Sequence, residues 1–115
     1  MSVIYRKYKQ YKQLIVPIIR IGLRHGNSWY PVEVYVDSGA TYSVFHERVA
    51  ERMGLNIRKG KRIYVEVGDG GLINVFLHEM DIQLGNDVFT ATIGFSDRLG
   101  IGFNLLGRKS IFERY

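Results

Sequence analysis

Trp29-Tyr30-Pro31-Val32-Glu33-Val34-Tyr35-Val36-Asp37-Ser38-Gly39-Ala40-Thr41 is the stretch whose reading decides the fold. From Trp29 to Val36, the residues Val32, Val34 and Val36 fall on one face, with Glu33 and Tyr35 on the other. That is the period-two pattern of a half-buried strand. The pattern stops at Asp37. The small and polar residues from Asp37 to Thr41 permit a tight loop and the close approach of another backbone. The stretch therefore reads as a strand that delivers a carboxylate into a loop.

Upstream, Leu14 to Leu23 reads as another strand. Pro17 lacks an amide donor, which argues for an edge position or a bulge there. Arg24 to Ser28 is a turn by composition, so the two strands form a hairpin leading to Asp37. Residues Val3 to Gln13 alternate irregularly between aromatic and basic. They fit an edge strand with a charged outer face or a flexible arm equally. Residues 1–13 are thus read as an arm and 14–115 as the single domain.

Downstream, Val44 to Met53 reads as a short helix. Val49, Met53 and Phe45 face inward, Ser43 is the N-cap and Gly54 the stop. Lys61 to Val67 alternates again, and Gly68-Asp69-Gly70-Gly71 is a hairpin turn signal. Leu72 to Leu84 is a long strand, Gly85 to Asp87 a turn and Val88 to Phe95 another strand. Ser96 to Gly100 is a loop. Ile101 to Leu106 is apolar and ends at Gly107, and Arg108 to Tyr115 reads as a terminal helix. About seven strands separated by glycine turns predict an all-β domain, a small barrel or sandwich with one or two short helices.

Composition supports this reading. The 115 residues are 46% hydrophobic, enough for one core and too few for two ordinary domains. Eight Tyr and six Phe suit a pleated sheet. The net charge of +5 owes much to Arg6, Lys7, Lys9 and Lys12. With no cysteine, disulfides and thiolate metal sites are excluded. His25, His46 and His78 are too scattered for a metal site and are read as surface residues, so no metal or cofactor is expected. No apolar run is long enough for a transmembrane helix, and the N-terminus lacks the apolar stretch of a secretory signal. A cytoplasmic protein without a membrane partner is the expectation.

Val36-Asp37-Ser38-Gly39-Ala40-Thr41 resembles the Asp-Thr/Ser-Gly-Ala signature of the retropepsin-like aspartic proteases. Four features accompany it. An apolar hairpin precedes it, and a helix ending in Met53-Gly54-Leu55 follows it. A glycine-tipped hairpin at 68–71 lies where that family has its flap. Asn104-Leu105-Leu106-Gly107-Arg108 is similar to the family's late hydrophobic-hydrophobic-Gly-Arg element. The resemblance spans roughly residues 14–115. It implies a small closed acid-protease β-barrel and an aspartic endopeptidase. Asp37 would be the catalytic carboxylate, with Ser38 bonding across a homodimer and Gly39 keeping the cleft floor open. Gly39, Ala40, Gly68, Asp69, Gly70, Gly71 and Leu72 would meet an extended peptide or protein substrate. Leu105, Leu106, Gly107 and Arg108 would support the catalytic loop.

The chemistry agrees with that resemblance. Hydrolysis by carboxylates needs two of them sharing one proton. Asp69, Asp81, Asp87 and Asp97 lack the Ser-Gly context of Asp37, so the second carboxylate is expected from a second copy on a twofold axis. Two departures stand out. Thr41 and Tyr42 follow Ala40 where retroviral members often have an acidic residue, which takes from Arg108 its usual partner. Residues 111–115 are short for the interchain strand of retroviral members, so a different interface is expected, with 2–13 as a candidate. Two further readings compete: the same fold as a dimerisation or peptide-binding module without catalysis, and a nucleic-acid-binding barrel using the Tyr5 to Lys12 segment. The intact Asp-Ser-Gly-Ala disfavours the first, and a solvated edge strand or interface arm is the favoured reading of Tyr5 to Lys12 over the second.

Overall fold

The computed structural model describes residues 3–5, 15–37, 40–66, 71–97 and 104–107. These residues form eight strands: β1 (Val3–Tyr5), β2 (Ile15–His25), β3 (Ser28–Val36), β4 (Ser43–His46), β5 (Lys61–Glu66), β6 (Leu72–Leu84), β7 (Asp87–Ser96) and β8 (Asn104–Leu106). One short helix, α1 (Glu47–Met53), and a 3-10 turn at Ile57–Lys59 lie between β4 and β5.

The sheet runs β1-β2-β3-β8-β4-β7-β6-β5, and β2 also pairs with β6. That extra pairing joins Gly22 and Leu23 to Gln83 and Ile82, and it closes six strands into a ring. A closed barrel leaves its member strands no open edge. β1 extends β2 and β5 extends β6 outside the ring. Most pairings are antiparallel; β3 with β8 and β4 with β7 are parallel. Parallel neighbours need long crossovers, and here these carry the helix and the β5–β6 hairpin.

Local sequence accounts for most of these elements. β2 and β3 turn at Gly26-Asn27, and β6 and β7 at Gly85-Asn86. Gly26 (φ 65°) and Gly85 (φ 62°) take the positive φ that two-residue hairpin turns need at their first central residue. Along β3, Val32 and Val34 are buried and Glu33 is exposed, as the alternation predicts. β7 sends Phe89, Ala91, Ile93 and Phe95 inward, with Val88 and Thr90 outside. Pro17 faces β1 at the point where β2 has not yet taken up β3, whose first partner is Ile18.

The core gathers Ile21, Leu23, Val34, Phe45, Phe76, Ile82, Ile93, Phe95 and Leu106 from the barrel with Val49, Ala50 and Met53 of α1. Phe45 and Phe95 meet edge to face at 6.0 Å between centroids. Each such ring removed from water stabilises the fold by about 1.5–3 kcal/mol. His78 stacks edge-on against Phe95, and its Nε2 donates to the Ile57 carbonyl at 2.8 Å, tying the 3-10 turn to β6.

The helix begins later than the sequence pattern predicts. Residues 43–46 are strand, and all four are buried. A strand covered on both faces shows no alternation, so an apolar run there is easily taken for the first turn of a helix. Ser43 is consequently not the N-cap. That place falls to His46, which is buried rather than on the surface, and whose side chain makes no capping bond. Gly54 does end the helix, in the left-handed conformation. The expected strand at 61–67 and turn at 68–71 are described only to Glu66 and from Gly71, and the expected terminal helix at 108–115 lies outside the described residues.

Phe95→Ala is expected to lower stability by about 3–5 kcal/mol, since it leaves a cavity against Phe45 and His78. Val88→Thr, on an exposed side chain, should change it by less than about 0.5 kcal/mol. Urea midpoints at one matched protein concentration check both, and equal midpoints for the two variants would contradict this core.

Candidate active site

Asp37 follows directly on β3, whose last residues Tyr35 and Val36 pair in parallel with Leu105 and Leu106 of β8. The Asp37 backbone N–H donates to the Leu106 carbonyl at 3.0 Å, so the ladder continues one step past the strand. The Ala40 N–H then donates back to the Asp37 carbonyl at 3.0 Å. That bond closes a four-residue turn, Asp37 to Ala40, as the sequence Asp-Ser-Gly-Ala predicts. Asp37 itself is exposed on the single chain.

The chain leaves this turn and enters β4, which runs along the other side of β8. A single backbone bridge, Val44 with Leu105, joins β4 to β8. Two side chains reinforce that thin seam. At one end the buried Ser43 hydroxyl accepts the Gly107 N–H at 2.9 Å. At the other, the Asn104 carboxamide oxygen accepts the His46 N–H at 2.8 Å. The Asn104 amide also donates to the Glu33 carbonyl on β3 at 3.3 Å. A β-carbon on Gly107 would run into the backbone of Tyr42 and the Ala40 carbonyl, so the chain after β8 passes directly beneath the turn.

The structure thus brings Asp37, Ala40, Leu105, Leu106 and Gly107 to one junction. Ser38, Gly39, Gly68, Asp69, Gly70 and Arg108 lie outside the described residues. Gly71 and Leu72 stand at the tip end of the β5–β6 hairpin, where Leu72 closes the ladder with Glu66 and is 66% exposed. Two members of the junction escape the sequence reading. Ser43 passes for a helix cap, and Asn104 passes for a mere lead-in to Leu-Leu-Gly. For Asn104, a polar residue within the apolar run 101–106 was the available signal. Among the described residues, no group of three or more His, Cys, Asp or Glu side chains is placed to hold a metal ion. Among the same residues, no helix is long and apolar enough to cross a membrane.

Ser43→Ala strands the buried Gly107 N–H and should cost about 1–3 kcal/mol. Ser43→Thr keeps the hydroxyl and is expected to lose less. Gly107→Ala should be the most damaging of the three, because its β-carbon meets backbone rather than a side chain that can rotate away. Thermal melts of the three variants check this order.

Residues 22–101 match the family model described as aspartyl protease. That span includes the strand, turn and hairpin described above. No curated protein resembles the sequence closely enough to count as a match. Among solved structures, a retropepsin-like aspartic protease from Rickettsia conorii superposes with a TM-score of 0.65 at 18% identity, covering 99% of this chain and 87% of that one. The EIAV protease in complex with an inhibitor superposes with a TM-score of 0.60 at 21% identity, covering 81% and 82%. The closed barrel, with its strand-to-turn delivery of an aspartate, is therefore the retropepsin-like fold, and the chain belongs to the aspartyl protease family.

Proposed function

We propose that this protein is an aspartic endopeptidase, active as a homodimer, in which the Asp37 carboxylates of two chains activate a water molecule. The observation that carries this reading is the anchoring of Asp37. Its N–H is held by Leu106 and its carbonyl by Ala40, and both anchors are backbone groups. Asp37 itself is exposed on the single chain, as a dyad shared with a symmetric partner would require.

The dyad works through its coupling. Two carboxyl groups about 3 Å apart cannot both ionise, so they titrate in two separated steps and share one proton between them. The ionised member takes a proton from the water, which attacks the scissile carbonyl. The protonated member donates a hydrogen bond to that carbonyl oxygen. The tetrahedral intermediate then collapses with proton transfer to the leaving amine, and no acyl-enzyme forms. Ser38 would bond across the dimer and Gly39 would leave room for the substrate backbone. The β5–β6 hairpin, with Gly68 to Gly71 at its tip and Leu72 beside them, would close over an extended peptide and exclude water. The peptide would add as a strand between hairpin and floor. Leu105, Leu106, Gly107 and Arg108 would support the turn from behind. On this reading residues 14–115 form the protease domain and 1–13 its N-terminal arm.

The test is cleavage of a mixed peptide library between about pH 4 and pH 7, with Asp37→Asn beside the native protein. Asp37→Asn should remain a folded dimer and lose activity by roughly 10²–10⁴-fold. The native profile should be bell-shaped, since only the singly protonated dyad is active. Activity per chain should also fall on dilution as the dimer dissociates. A native dimer that cuts no member of the library would leave a dimerisation or peptide-binding module in place of the protease, and cleavage that survives Asp37→Asn would reject the dyad.

A further inference from the structure

We propose that Asn104 is a positioning residue for the catalytic carboxylate, holding the two strands that flank the Asp37 turn at a fixed separation. This inference rests on the protease reading above and adds to it a residue outside the Asp-Ser-Gly element.

The argument begins with how little backbone holds β8. The strand has three residues. It makes three register pairs with β3 but only one with β4. Yet β8 is the wedge between the strand that enters the Asp37 turn and the strand that leaves it. If β8 slides or tilts, the Leu106 carbonyl moves, and the Asp37 N–H that it accepts at 3.0 Å moves with it.

Asn104 acts on both sides of the wedge at once. Its oxygen accepts the His46 N–H at 2.8 Å, at the point where β4 passes into α1. Its nitrogen donates to the Glu33 carbonyl at 3.3 Å, adding a rung at the start of the three-pair β3–β8 ladder. The His46 N–H is one of the donors that a helix start leaves without an intrahelical partner. One planar carboxamide thus supplies an acceptor to β4 and a donor to β3, and no other uncharged side chain of that length offers both. Ser43 clamps the opposite end of the β4 seam, and among the described residues its hydroxyl bonds to Gly107 rather than to β3. Asn104 bridges all three strands.

The consequence falls on the catalytic turn. A loosened wedge moves the Leu106 carbonyl and with it the backbone that holds Asp37. Catalysis is sensitive to misplacement of about 1 Å. A residue that merely stabilised the fold would lower the melting temperature without quickening exchange at Asp37 ahead of the core amides in the population that stays folded.

The experiment compares the native protein with Asn104→Leu, which removes both bonds, and Asn104→Asp, which keeps the acceptor for His46 but sets a carboxylate oxygen against the Glu33 carbonyl. In Asn104→Leu, kcat should fall roughly 10- to 100-fold with KM within about threefold. Amide hydrogen exchange should quicken about tenfold at Asp37 while core amides such as Ile82 keep their protection. Asn104→Asp should lie between the two, and it decides the matter if the leucine variant does not fold. Unchanged Asp37 exchange in a folded variant would overturn the proposal, as would an unchanged kcat. The exchange measurement needs no turnover, so a native protein that cleaves nothing would count against the protease reading while exchange at Asp37 still judged Asn104.

Discussion

The three-residue strand β8 is the constraint on which the rest of this structure depends. It lies between β3 and β4 in the ring, and the chain segment connecting those two strands is the turn that carries Asp37. Remove β8 and the barrel opens at the place where the carboxylate is held. A strand this short contributes few ladder bonds of its own. Its position is secured instead by burial of Leu106 in the core and by the polar clamps of Ser43 and Asn104. Apolar burial supplies most of the free energy, at roughly 25 cal/mol per Å². The hydrogen bonds supply direction. Each has a modest net worth, but a buried donor left without a partner is costly, so the alternatives to this register are penalised more than the register itself is rewarded.

The same economy explains why glycine stands at 107. The chain must turn from β8 beneath Ala40 and Tyr42, and no β-carbon fits there. The Gly107 N–H is then too deeply buried to reach water, and the Ser43 hydroxyl takes it. One steric requirement thus creates a polar one, and a residue 64 positions away meets it. The turn is held from beneath by backbone and from the side by strands, while the Asp37 side chain stays exposed.

The remainder of the barrel serves this junction at a distance. The β6–β7 hairpin and the β2–β6 contact complete the ring, and α1 adds Val49, Ala50 and Met53 to the common core. Exposed ion pairs such as Arg20 with Glu33 and Arg24 with Asp81 contribute little, as solvent screens them. The basic excess of the chain is concentrated in residues 6–12, outside the described part of the barrel. The core and the turn are therefore accounted for by packing and hydrogen bonding, without appeal to net charge.

What the sequence determined by itself was local. The valine alternation before Asp37, the Gly-Asn turns at 26–27 and 85–86, and the limits of β6 each follow from dihedral preference and period, which neighbouring residues set among themselves. The Asp-Ser-Gly-Ala signature and its companions also pointed to the family. Only the tertiary structure decided what 43–46 and 104 are. Ser43 to His46 are buried on both faces, so their strand has no alternation to read, and a following helix lent them its pattern. Asn104 has no local partner at all; its two bonds reach residues 58 and 71 positions away. A polar side chain acquires such a role only when closure of the ring brings β3, β4 and β8 together, and no period or propensity along the chain encodes that meeting.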